Sequence, residues 1–426
     1  MLQQKKDVYF QSVKPPIKYL LYTFILIYIS NDTLLFGTLE GSSSLTTIIY
    51  SVLITLVLLT DGKKILKVNT VTPFIYLITS ILLVILTGAL NNELTGGYLY
   101  QILVFVVCYA LFKIIPLDYF ILSFRKILYF LSVVSIITYL IVLIMPSLLY
   151  YVPVVENISG VERYNFFVST IDVNLFSNIY RNSSIFREPG VFMMYIILAL
   201  ILEVYLNIKY RKSLDYRYVS LLIVSLLLTF STGGYIIFAV FLIYLAFSIK
   251  AIRNLKIVFF IGSIIFISTF FIGDIIDNTQ VLGKLSVDST HYGSTLARIS
   301  SIVVPLNIFL DNIFFGVGLT EFPVLYEEVA FRIYQIPFTS GGQSTNTILN
   351  KFATYGVFFG FFYVYSYYLL SKMLSKRTYS LLLFLIFILL FANEDVRYSL
   401  IFSILPYYAL NNNYDTLHRH FYHLSR

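Results

Sequence analysis

Long apolar runs constrain this chain more than any other feature. Segments near residues 17–36, 43–60, 71–90, 98–115, 127–150, 190–208, 217–230, 234–249, 256–273, 345–370, 379–393 and 398–411 are nearly free of charge. A helix needs about 20 such residues to cross roughly 30 Å of hydrocarbon. Twelve spans are therefore expected, with 217–230, 234–249, 379–393 and 398–411 short enough to need tilt, local thinning or polar flanks. The composition excludes a soluble domain: 58% of residues are hydrophobic and 12% charged, against about 25% charged in soluble proteins. The expected class is an all-α polytopic membrane protein, with 1–426 forming a single integral membrane domain.

The polar segments between the runs set an orientation. With the N-terminus inside, the cytoplasmic side collects Lys5, Lys6, Lys14, Lys18, Lys63, Lys64, Lys67, Lys113, Arg125 and Lys126. It also takes Lys209, Arg211, Lys212, Arg217, Lys250, Arg253, Lys256, Lys372, Lys376, Arg377, Arg419 and Arg426, leaving eight of the 30 basic residues outside. Cytoplasmic loops are selected for Lys and Arg, so an N-in, C-in topology follows. The pI near 9.1 is then a matter of membrane orientation, and no nucleic-acid partner is expected. Met1 to Lys18 is polar and basic, and no small-residue cleavage site follows it, so the first helix is expected to remain as an anchor. Cys108 is the single cysteine and can form no internal disulfide. With 37 Tyr, 39 Phe and no Trp, the interfacial aromatic belts must be built mostly from Tyr.

Two outer segments are long, at about 151–189 and 274–344. Both carry Phe, Tyr, Val and Leu at the level of ordered protein, so short helices lying on the membrane surface are expected. Six of the eight outer basic residues fall in these loops: Arg163, Arg181 and Arg187 in the first, Lys284, Arg298 and Arg332 in the second. The orientation rule selects against basic residues here, so these arginines suggest an anionic ligand; local pairing with the 16 acidic residues of the same side is the plainer alternative.

The sharpest local pattern is Arg181-Asn-Ser-Ser-Ile-Phe-Arg187-Glu188-Pro189-Gly190. Pro189 suits the first turn of a helix, and Glu188 beside that N-terminus suits the positive end of the dipole. Two guanidiniums at a helix start can hold phosphate, because their planar forks grip phosphoryl oxygens while free backbone N–H groups point the same way. The same residues also read as a charged boundary where a helix leaves the bilayer. Gly316 and Gly318 allow a tight turn or a close backbone approach. Thr345 and Asn346 open the tenth span, with Lys351, Tyr355 and Gly356 following; they cap that helix or contact sugar hydroxyls. Ser231-Thr-Gly-Gly joins two short spans. Asn393-Glu-Asp-Val-Arg397 is a turn that gains interest only if it folds against the loops. His418, His420 and His423 lie in a polar tail with no carboxylate or Cys to complete a metal site.

In that order, Ile185-Phe-Arg-Glu-Pro-Gly-Val-Phe, Phe230-Ser-Thr-Gly-Gly-Tyr235, Arg298 followed by Gly316-Val-Gly318, and Asn346 with Gly356 resemble the O-antigen polymerase and O-antigen ligase family of bacterial envelope glycosyltransferases. The resemblance runs from about residue 180 to 370; the first half matches in hydropathy only. It implies transfer of oligosaccharides from a polyprenyl-pyrophosphate carrier at the outer face of the bacterial plasma (inner) membrane, without nucleotide sugar, metal or other cofactor. Arg187 and Arg298 would bind donor pyrophosphate, with Arg181, Arg163 and Arg332 assisting and Gly316, Gly318, Thr345, Asn346 and Tyr355 lining the substrate. Ligases of the family carry a His where Thr345 stands, which favours a polymerase over a ligase and leaves the proton acceptor to be found; Glu188 and His291 are the candidates. Membrane lipids, a flippase and chain-length regulators are the implied partners. The competing class is a lipid-linked oligosaccharide flippase, which would carry ionisable groups within its spans; only Glu203 and Lys351 approach that description.

Overall fold

A computed structural model describes residues 15–37, 42–66, 71–93, 95–156, 161–174, 179–210, 213–249, 292–335 and 344–411. The chain is mostly helical, as it must be if its apolar runs are to close their own backbone hydrogen bonds away from water. Six helices are long and apolar enough to cross a membrane. They are α2 (Ser42–Leu66), α3 (Val71–Leu90), α4 (Gly96–Ile114), α5 (Leu117–Ile144), α6 (Pro189–Tyr210) and α11 (Thr347–Leu374). Five shorter apolar helices accompany them: α1 (Ile17–Tyr28), α7 (Tyr216–Leu227), α8 (Thr232–Ser248), α12 (Ser380–Asn393, extended by a 3-10 turn from Arg377) and α13 (Leu400–Leu410). The run expected at 256–273 lies outside the described residues.

The helices expose apolar side chains as well as burying them. On α2, Leu45, Ile48, Val52, Leu56 and Leu59 are exposed at three- and four-residue spacing while Tyr50, Leu53 and Val57 are buried. A helix apolar on both faces is stable when lipid takes the place of water on the outside. α6 is the exception, because 89% of its apolar window is buried. It packs on α5, α7, α8, α11 and the last strand of a small sheet, which makes it the centre of the bundle.

That sheet departs from the expectation of surface helices in 151–189. Four strands, β1 (Val154–Glu156), β2 (Val161–Asn165), β3 (Thr170–Asn174) and β4 (Ile179–Ser184), form an antiparallel meander in sequence order. The β2–β3 turn is set by Asn165, whose Oδ1 accepts the Phe167 N–H at 2.8 Å while Phe167 takes a positive φ of 65°. Ile171 and Val173 plug into Tyr139 and Val142 at the end of α5 and Leu149 in the 3-10 turn after it (Pro146–Tyr151), a contact that needs the period of two and so favours strand over helix. In the 274–344 segment, α9 (Tyr292–Asp311) and α10 (Glu321–Tyr334) are helices, packed on each other, with α9 also on α11. α9 spans 20 residues and is not short.

Candidate functional site

The sheet register places charges in one row. Arg163 on β2 pairs with Asp172 on β3, and Asp172 with Arg181 on β4, so two guanidiniums flank one carboxylate across three strands. Arg163 Nε lies 3.4 Å from Asp172 Oδ2, and its Nη2 lies 3.3 Å from Glu188 Oε1. Ser183 Oγ donates to the other Asp172 oxygen at 2.6 Å. Burial still pushes the Asp172 carboxyl up to about 6, against the pull of Arg163 and Ser183. Arg181 Nε donates to the Thr229 carbonyl at 3.1 Å, tying the sheet to the loop before α8.

β4 runs on into the head of α6. The Phe186 backbone bridges Thr33, the Leu34 N–H reaches the Ile185 carbonyl at 3.0 Å, and the Arg187 N–H reaches the Asp32 carbonyl at 2.9 Å. The turn after α1 thus clamps Arg187. Asp32 is buried, and one oxygen accepts Tyr195 Oη at 2.5 Å, Ser30 Oγ at 3.0 Å and Ser399 Oγ. The Arg187 guanidinium donates through Nη2 to the Asp395 carbonyl, whereas its buried Nε–H finds no acceptor among the described residues.

Three helix starts meet around Asn393-Glu394-Asp395-Val396. A methyl group built on Gly190 at the head of α6 would lie 1.7 Å from Glu394 Oε1, and one on Gly233 at the head of α8 would lie 1.8 Å from Asn393 Oδ1. Only glycine leaves room for these two side chains. At the head of α11, Thr347 Oγ1 donates to the Glu394 carbonyl at 2.6 Å and accepts the Val396 N–H at 2.8 Å. Arg298 on α9 donates to Asn393 Oδ1 at 2.6 Å, and Asn393 Nδ2 donates to Glu394 Oε1 at 3.1 Å. Glu394 is only 6% exposed. Burial first and then Glu188 raise its carboxyl to about 8, overriding Arg298, Arg187 and Arg181, which pull it down.

Of the residues singled out in the sequence, Arg163, Arg181, Arg187, Arg298 and Glu188 are brought together. Thr345 and Asn346 stand beside them: Thr345 Oγ1 donates to Ser301 on α9 at 3.2 Å, and Asn346 caps α11 by accepting the Leu349 N–H at 3.0 Å. Gly316 and Gly318 form a turn with φ of 65° and 87°, whose Val317 and Gly318 N–H groups bond the Ala353 and Thr354 carbonyls. There the turn packs against the break in α11 at Gly356, itself at φ 78°. Tyr355 is buried at that break with no partner for its hydroxyl among the described residues. Arg332 is exposed in the last turn of α10 and forms no ion pair among the described residues. His291 lies outside the described residues. Among those described, no three of His, Cys, Asp and Glu gather closely enough to hold a metal ion.

The turn Asn393-Glu-Asp-Val-Arg397, of interest only if it folded against the loops, does fold against them through Arg298 and Arg187 and brings Asn393 and Glu394 into the site. Asp32 had no signal in the sequence, being one acid in a short polar turn. No protein-family model, curated protein or solved structure matches the chain.

Proposed function

We propose that this protein is a polysaccharide polymerase. It joins oligosaccharide repeat units carried on polyprenyl pyrophosphate at the outer face of a bacterial plasma membrane, spanning that membrane about twelve times with both termini inside. One observation carries the reading: Arg163, Arg181 and Arg187 of one segment and Arg298, far along the chain from them, gather where three helices start. Helix starts and guanidiniums both favour anions, and the buried Nε–H of Arg187 still lacks an acceptor among the described residues. Arg298 is exposed, and Arg181 and Arg187 are partly so, so the cluster reaches the surface of the protein.

The chemistry follows from that charge. Attack of a sugar hydroxyl on the donor's C1 expels pyrophosphate, and negative charge grows on the leaving group. Guanidiniums fixed in advance around it stabilise that charge without reorganising. A donor whose tail remains in lipid must present its pyrophosphate at the membrane surface, which suits a cluster at the heads of apolar helices.

The test is deletion of the gene, followed by return of Arg187→Lys and Arg298→Lys variants. Deletion should shorten surface glycan to single repeat units, and neither variant should restore chain length at normal protein level, since Lys keeps the charge but loses the fork. Full-length chains stranded on the lipid carrier would make the protein a ligase. Single units trapped on the inner leaflet would make it a flippase.

A further inference from the structure

We infer that Glu394 is the proton acceptor for the attacking sugar hydroxyl, an assignment that rests on the polymerase reading above. Three observations place it there. The carboxylate sits against the head of α6 on the bare Cα of Gly190, where no other residue leaves space for it. Its Oε1 is oriented by Asn393, which is itself held by Arg298, so an arginine from one segment sets a base in another. Its second oxygen has no hydrogen-bond donor among the described residues. A base held by a neighbour that is in turn held by a third group is the arrangement expected wherever a hydroxyl is activated.

The step balances without a co-reactant. The acceptor oxygen bonds to the donor's C1 as the C1–O bond to pyrophosphate breaks. The bonding pair leaves with polyprenyl pyrophosphate, and the hydroxyl proton passes to Glu394. The groups that act on this carboxylate are Glu188 at the head of α6, Arg187 before it, Arg181 on β4 and Arg298 on α9. Glu188 is the weaker candidate for the role, since it is bound to Arg163 at 3.3 Å, beside Asp172.

Full-length protein in proteoliposomes would be given the lipid-linked saccharide fraction extracted from a deletion strain, and binding of undecaprenyl pyrophosphate would be measured in parallel. Glu394→Gln should bind undecaprenyl pyrophosphate within threefold of wild type and turn over at least about 100-fold more slowly, the scale of a lost general base. Gln resembles the neutral acid that burial favours, so folding should survive. Wild-type turnover should rise about tenfold per pH unit up to about 8 and level off above it, because the base works only when deprotonated. Turnover of Glu394→Gln within threefold of wild type overturns the assignment. So does a wild-type rate that is flat from about pH 6 to 9, a readout that holds even if the variant fails to fold. Failure of wild type itself to bind undecaprenyl pyrophosphate is a different result, and it sinks the pyrophosphate reading.

Discussion

Gly190→Ala separates a packing role for the Glu188-Pro189-Gly190 turn from a chemical one. The new Cβ would stand 1.7 Å from Glu394 Oε1 and 2.6 Å from its Cδ. Carbon contacts settle near 3.5 Å, so the oxygen must retreat by roughly 1.8 Å. The obstacle is the end of a side chain, so the backbone need not move. Displacing a buried side chain and its hydrogen bond to Asn393 costs about 1–3 kcal/mol, against up to about 1 kcal/mol gained from the better helix propensity of Ala, so the thermal midpoint should fall by only a few degrees. A misplacement near 1 Å can lower a rate about 100-fold, equivalent to about 2.7 kcal/mol of barrier. Turnover should therefore fall by that factor or more in the proteoliposome assay, and Gly233→Ala, which displaces Asn393, should do the same. Gly96→Ala is the control, because nothing lies within 4 Å of its added carbon. Activity of Gly190→Ala within threefold of wild type, at equal stability, would refute the idea that the position of Glu394 matters.

Two further outcomes are expected. With Cys108→Ala as background, Tyr150→Cys, 89% exposed before the sheet, should react with an impermeant maleimide on intact cells, and Lys63→Cys only after lysis; the reverse pattern would invert the topology. Asp32→Ala strands three buried hydroxyls, at about 1–3 kcal/mol each, whereas Asp32→Asn can offer one oxygen to the same donors. The Ala variant should therefore unfold at clearly lower temperature than the Asn variant, and equal midpoints would show that Asp32 does not hold the clamp on Arg187.

Apolar helices were legible because hydropathy is a local property: apart from α9 and α10, each helix from α1 to α13 overlaps an apolar run visible in the sequence, although α1 stops at Tyr28 within the run expected to 36, and α5 begins at Leu117 rather than 127 and so takes in Arg125 and Lys126. The sheet was not. Its strands include Val-Glu-Arg-Tyr-Asn and Ile-Tyr-Arg-Asn-Ser-Ser, where polar residues are buried on a membrane protein rather than exposed on a soluble one. Thr170, Ile171 and Asp172 are all buried in succession, so the alternation that announces a half-buried strand is missing. Two features select strand, the seat of Ile171 and Val173 against Tyr139, Val142 and Leu149 and the row Arg163, Asp172 and Arg181, and both exist only once the strands are paired.

The arginines were legible for a different reason. They break the charge pattern expected of outer segments, and a broken pattern can be seen one residue at a time. Glu394 breaks none, since acids are ordinary in the segments expected outside, and the arginines around it lie far away in the chain. Gly190 and Gly233 each looked like helix-start punctuation. Their shared purpose appears only when Asn393 and Glu394 arrive at both helix heads together. Each glycine thus records the shape of a side chain some 160 to 200 residues distant. Periodicity and propensity act over one or two helical turns, so neither can carry that information.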